Sequence, residues 1–182
     1  MNWKRTPSGV LVGDKILNGE FSWRVNGGEW KRETNLLTDE GIDYLIGLSV
    51  AYPPGPDPFY IAPFGDDVTP LASWTAATFT TDSGELGDPP EGYQEATRQL
   101  WPVAVGDPDG SDNYTAAYVP ATFHLRTASS LTVCGFGVLT DDTKAGTGGV
   151  LLGAIRLGGA PKTYDDNDIL DIGYRIVAVN VP

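Results

Sequence analysis

One stretch of this 182-residue chain begins a helix by local chemistry alone, and it stands between segments that otherwise read as strands and turns: Leu36-Leu37-Thr38-Asp39-Glu40-Gly41-Ile42-Asp43-Tyr44-Leu45. The Thr38 hydroxyl can accept a backbone N–H bond from the first turn. Asp39 and Glu40 place negative charge at the positive end of the helix dipole. Leu37 and Ile42 occupy the two positions of a hydrophobic staple. Ile42, Leu45 and Ile46 give one apolar face, and Gly47 offers an early stop. A helix is therefore expected here, with different kinds of chain on its two sides.

Before the helix, Gly9 to Leu17 reads as a strand. Glu20 to Val25 alternates Phe21, Trp23 and Val25 with Glu20, Ser22 and Arg24. Asn26-Gly27-Gly28 supplies the positive φ values of a type I′ hairpin turn. Glu29 to Arg32 then returns, with Trp30 available to pair across from Trp23 or Phe21. A lone hairpin is marginal in water, so this one must lean on its own body or on another chain.

After the helix the pattern is short strands between Gly, Asp and Pro turns. Pro53-Pro54-Gly55-Pro56-Asp57-Pro58 is expected to be a stiff loop, because proline cannot donate to a sheet ladder. Strands are expected at 59–64, before Pro102, at 118–125, at 131–139, at 150–157 and at 169–181. The run Leu131 to Leu139 is apolar on both faces and reads as central in the sheet. Ala72 to Phe79 fits a helical turn or an extended segment. With 41% hydrophobic residues the chain can bury a real core, and 23 Gly with 14 Pro, scattered along it, suit turns. The expected fold is all-β: a β-sandwich, jelly-roll or Ig-like, with one short helix and an N-terminal β-hairpin arm. Residues 1–35 would form the arm and residues 36–182 the body.

Charge separates the same two parts. Residues 1–35 hold six Lys/Arg and four Asp/Glu, a net of +2, whereas residues 36–182 hold six and 20, a net of −14. Small-number scatter accounts for the arm as readily as docking on an acidic partner does. If the arm docks, its anchors are Trp3, Phe21, Trp23 and Trp30, with Lys4, Arg5, Lys31 and Arg32 supplying charge. The total of −12 argues against nucleic acid and against an anionic membrane surface. No charged-then-apolar leader opens the sequence, which predicts a chain made and kept in a reducing compartment.

Candidate chemistry is sparse. The chain has one His, His124, and one Cys, Cys134, so neither an intrachain disulfide nor a zinc set is expected. A Cys134–His124 pair on neighbouring strands is conceivable, but Cys134 reads first as an inert core thiol. Gly146-Thr147-Gly148-Gly149 lacks the Lys-Ser/Thr of a phosphate loop and precedes a strand, so a hairpin tip is expected. Asp107-Pro108-Asp109-Gly110-Ser111-Asp112 departs from the calcium-loop spacing, and Asp165, Asp166 and Asp168 suit a solvated turn. Trp74 and Trp101 are the candidates for a sugar-stacking platform. No cofactor, metal or catalytic group is expected, and an enzyme is not.

Read together, several segments resemble a family of tailed-bacteriophage virion proteins. They are Asn35 to Ile42, Phe59-Tyr60-Ile61, Val68-Thr69-Pro70-Leu71-Ala72-Ser73-Trp74-Thr75-Ala76 and Glu95-Ala96-Thr97-Arg98-Gln99-Leu100-Trp101. Gly135-Phe136-Gly137-Val138-Leu139, Gly149-Val150-Leu151-Leu152-Gly153-Ala154 and the closing strand complete them. The resemblance covers residues 35–182 and implies an accessory structural role, decorating or cementing the capsid. The implied partners are the major capsid protein and copies of this chain, a trimer at local symmetry axes being one arrangement. The implied location is the capsid surface of the virion, after synthesis in the host cytoplasm. Related patterns occur in tail and fibre-adaptor proteins. A carbohydrate-binding module is the alternative from a different class.

Overall fold

The computed structural model describes residues 3–6, 9–12, 15–50, 58–102, 114–115, 120–159 and 161–180, with side chains for these except 3–16, 49–50, 114–115 and 178–180. The chain begins with strands β1 (Trp3–Thr6), β2 (Gly9–Val12), β3 (Lys15–Val25) and β4 (Lys31–Leu37), followed by helix α1 (Asp39–Val50). Next come β5 (Phe59–Phe64), α2 (Ala76–Ser83), β6 (Gly92–Tyr93), β7 (Gln99–Trp101) and β8 (Tyr114–Thr115). Strands β9 (Ala121–Arg126), β10 (Leu131–Val133), β11 (Gly135–Leu139), β12 (Leu151–Arg156), β13 (Lys162–Tyr164) and β14 (Ile169–Asn180) finish it. The polyproline stretch 53–57 and the Asp107–Asp112 turn lie outside the described residues.

The all-β expectation holds. One large antiparallel sheet runs β6-β9-β14-β3-β4-β12-β11-β5-β7, with β2 and β8 attached to β3 and β14 and β1 attached to β2. It curls over, so that β9-β14-β3-β4 faces β12-β11-β5-β7 and β7 comes alongside β9. Aromatic rings fill the space between these layers. Phe21 meets Tyr174 at 4.6 Å and Phe136 at 5.7 Å, and Trp101 meets Tyr174 at 5.0 Å, all between ring centroids. Such tilted and edge-on pairs add to the burial of these large side chains.

The second layer is covered on its outer side too. Phe64, Trp74, Ala76, Phe79, Cys134, Leu139, Leu151 and Ala154 form a separate buried cluster beneath α2. That explains the two-sided apolar run at 131–139: every residue of β11 is buried. The run is nevertheless two strands. Cys134 breaks it, its N–H donating to Phe64 O and its carbonyl accepting from Leu157 N, so that β10 leaves to pair with β13.

Three expectations need correction. The helix does not stop at Gly47; it runs through to Val50, because a lone glycine weakens a helix without ending it, and Tyr44, Leu45 and Ile46 pack on the core just before it. A second helix exists, since Ala76 to Ser83 closes an α-helical segment that ends on Gly84 in the left-handed conformation (φ 60°), with Gly84 N donating to Thr80 O. The hairpin of residues 15–37 is not an appendage. β3 pairs with β14 over its whole length, from Lys15 opposite Asn180 to Val25 opposite Leu170, and is thus interior to the sheet.

The start of α1 is built as its residues dictate, and more is attached to it. Thr38 Oγ1 accepts from Gly41 N at 3.0 Å, the expected cap. Thr38 is fully buried, its hydroxyl donating to Leu151 O while its own N–H donates to Leu152 O. At this point β12 carries a bulge: Val138 faces Gly153 whereas Leu139 faces Leu151. A bulge disrupts the ladder locally and needs other partners for its backbone groups. Glu40 completes the junction, its Oε2 accepting from Leu151 N (2.7 Å) and from Ala76 N at the first turn of α2 (2.8 Å). Gly41 sits so close that a Cβ there would lie 2.2 Å from Leu152 O.

Candidate functional site

The residues expected to dock fall in three environments. Phe21 and Trp23 are core, 0% and 4% exposed, and are withdrawn as contact residues. Their alternation was a true strand signal, but β14 and the facing layer cover the apolar side. Trp30, Lys31 and Arg32 stand at the start of β4. Lys31 and Arg32 are exposed, and Trp30 is half-buried with the Arg24 guanidinium 4.6 Å over its ring. Trp30 does not pair across from Trp23, because Lys31 does. Trp3, Lys4 and Arg5 lie on β1, opposite Val12, Leu11 and Val10.

Register separates the last two groups. Arg5 is in the cross-strand row of Val10 and Leu17, whereas Lys31 is in the row of Trp23. Six residues along β3 amount to about 20 Å. The basic positions of the first 35 residues therefore fall at two places along the strands, not one. The first is an edge: β1 pairs with β2 and, among the described residues, with nothing else. An edge strand offers unpaired N–H and C=O groups to another chain, and Lys at such an edge opposes pairing with a like copy.

The second is the tip of the β3–β4 hairpin. The expected type I′ turn is present, with Asn26 at φ 49°, Gly27 at φ 68° and Gly28 N donating to Val25 O at 2.8 Å. An open depression of about 330 Å³ lies beside it, lined by Trp23, Arg24, Val25, Gly28, Glu29 and Lys31. Arg24 also holds Asp171 Oδ2 at 2.8 Å, and Thr122 donates to the other oxygen of that carboxylate at 2.7 Å.

The remaining sequence candidates are placed as follows. Trp74 and Trp101 are 6% and 1% exposed, which removes them as sugar platforms. His124 faces solvent on β9, its Nδ1 2.6 Å from Glu95 Oε1, while Cys134 is buried in the outer cluster; the two are not brought together. Burial and the nearby Asp67 carboxylate push the Cys134 thiol up, away from the reactive thiolate. Asp166 and Asp168 accept hydrogen bonds from Thr127 N and Asp165 N. Among the described residues no three His, Cys, Asp or Glu side chains gather to hold a metal ion, and no helix is long and apolar enough to cross a membrane.

Sequence reasoning missed the strongest polar feature, an ion pair with no exposure on either side chain. Arg98 Nε and Nη2 donate to Glu85 Oε1 and Oε2 at 2.8 and 2.7 Å, a two-pronged contact. Arg98 also donates to Asp141 O and Gly146 O, and Thr80 donates to Glu85. The glycine-rich loop is thus fastened from inside. Lys144, on the same loop, lies 3.9 Å over the Tyr93 ring. Burial and the Glu85 charge raise the Tyr93 phenol far above its ordinary value. Arg98 was visible only as part of a resemblance; nothing in its own neighbours announces a partner at 85.

Compared with known families, with curated proteins and with solved structures, the chain matches none.

Proposed function

We propose that this chain is an accessory structural protein of a tailed-phage particle, a head decoration protein that binds coat-protein subunits. The resemblance of residues 35–182 supports the role, and one observation supports the mode of attachment. β1 is an edge strand carrying Lys4 and Arg5, set on β2 and β3 outside the main strand path. Such an edge can take up an extended segment of a partner by main-chain pairing, with basic side chains selecting an acidic one. A position in the tail or a fibre adaptor would use the same edge at far lower copy number.

The test is co-sedimentation of the intact chain with undecorated capsids. The chain should bind in hundreds of copies, and binding should weaken with salt, since exposed charges are screened over about 10 Å at 0.1 M. The double variant Lys4→Glu/Arg5→Glu should bind at least roughly tenfold more weakly with unchanged circular dichroism. Full binding by this variant would move the docking surface elsewhere, and a handful of copies per particle would favour the tail reading.

A further inference from the structure

The hairpin tip carries a chemical liability and a device that restrains it. Asn26-Gly27 is one of two Asn-Gly pairs in the chain. Both residues have positive φ, Asn26 is exposed, and the space around Gly27 is open. Glycine has no Cβ to shield its backbone nitrogen. In an unrestrained Asn-Gly pair that nitrogen attacks the preceding side-chain amide carbon.

Here the amide is held from the other side. Asn26 Nδ2 donates to Asp168 Oδ1 at 2.8 Å, and Asn26 Oδ1 accepts from Ile169 N at 2.8 Å. The Asn26 backbone N–H donates to Ile169 O, also at 2.8 Å. Asp168 is itself fixed, its other oxygen accepting from Asp165 N at 2.9 Å. The side chain must be both donor and acceptor, which an amide satisfies and a carboxylate does not.

We propose that Asn26 is a latent deamidation site, kept intact by its clip to Asp168 and Ile169, and that conversion releases the β3–β4 turn from the 165–168 turn. The Gly27 nitrogen loses its proton and bonds to Asn26 Cγ, and Nδ2 leaves with that proton as ammonia, closing a succinimide ring. Water then opens the ring at either carbonyl, giving aspartate or isoaspartate. The net change is water consumed, ammonia released and one negative charge gained. That charge faces the Asp168 carboxylate, so the former hydrogen bond becomes a repulsion.

Prolonged incubation of the intact chain at mildly alkaline pH, read by peptide mass mapping, tests this. The second pair, Asn18-Gly19, lies within the β3–β14 ladder and serves as the reference. Conversion at Asn26 should be at least roughly tenfold slower in the folded chain than in urea, since it requires local opening. Asp168→Ala should accelerate conversion at Asn26 and not at Asn18, and Asp168→Asn, which can still accept, should accelerate it less. Conversion of native Asn26 at the unfolded rate would overturn the proposal. So would an Asp168→Ala chain that converts no faster, or one in which Asn18 accelerates equally, because protection would then come from the whole fold. Asn26→Asp should increase hydrogen exchange at 26–31 and 165–169; unchanged exchange would overturn the release.

Discussion

The start of α1 and the Arg98 loop both fasten irregular chain to the curled sheet, with opposite chemistry. At α1 the fastening groups are Thr38 and Glu40, and they bond to backbone: Gly41 N, Leu151 N and O, and Ala76 N. Each answers a deficit that a helix end or a bulge creates. At Arg98 the centre is a guanidinium gripping a carboxylate, with both side chains fully out of water. Removing two charges from water is costly, and the pair is tolerated because nearly every donor and acceptor finds a partner. The first junction is an additive set of ordinary bonds. The second works only as a whole.

The sharpest way to break this contrast is at Arg98. Arg98→Met leaves the buried Glu85 without its guanidinium partner, with Thr80 as its remaining donor, and should cost about 3–5 kcal/mol in denaturant melts. Adding Glu85→Leu should recover most of the loss, because a well-packed apolar pair often replaces a buried ion pair without penalty. Equal damage in the single and double variants would mean that the bonds to Asp141 O and Gly146 O, not the ion pair, hold the loop.

The α1 junction should yield by smaller steps. Thr38→Ala removes the cap and the donor to Leu151 O, for a cost of about 2 kcal/mol. Glu40→Gln keeps an acceptor and should cost less than Thr38→Ala. A collapse of the fold in Thr38→Ala would show that the bulge depends on one hydroxyl and would erase the contrast.

The smallest effect is expected where a carboxylate does at the exposed surface what the half-buried Glu40 does at the α1 junction. Glu91 accepts from Thr127 Oγ1 at 2.7 Å and from Ala128 N at 3.0 Å, and these bonds lower its pKa from the ordinary 4.5. A lowered carboxyl pKa adds stability above the unfolded value, and that stability is lost as pH falls through the folded one. The melting temperature of the intact chain should therefore exceed that of Glu91→Gln at about pH 6, and the gap should close by about pH 3. A gap independent of pH would place the effect in packing.

What could be read from the residues follows the same division. Thr38, Asp39, Glu40 and Ile42 signal a helix start within five positions, and the hairpin turn is written in Asn26-Gly27 alone. Alternation marked β3 and β14 correctly as strands with Phe21, Trp23, Ile172 and Tyr174 on one side. It carried no word on what covers that side. The partner of Arg24 is 147 positions away and that of Arg98 is 13, and neither pairing has a local signature. Charge counting is blind to such pairings for the same reason. The surplus of basic residues in the first 35 is real, but Arg24 is spent on Asp171. Some of the acidic residues of the body are likewise structural, with Glu40, Glu91, Glu95 and Asp166 each accepting from a backbone N–H.

The long pairing of β3 with β14 also sets an order of events during synthesis. β3 leaves the ribosome more than 140 residues before β14. Until β14 arrives, Phe21 and Trp23 have no neighbour on that side, and an 11-residue strand keeps an open ladder. Any chain terminated early is therefore left with an adhesive strand that nothing later can cover. Closure of the sheet thus waits on β14: whatever is made between the two strands, the ladder of β3 stays open until residues 169–180 are in place.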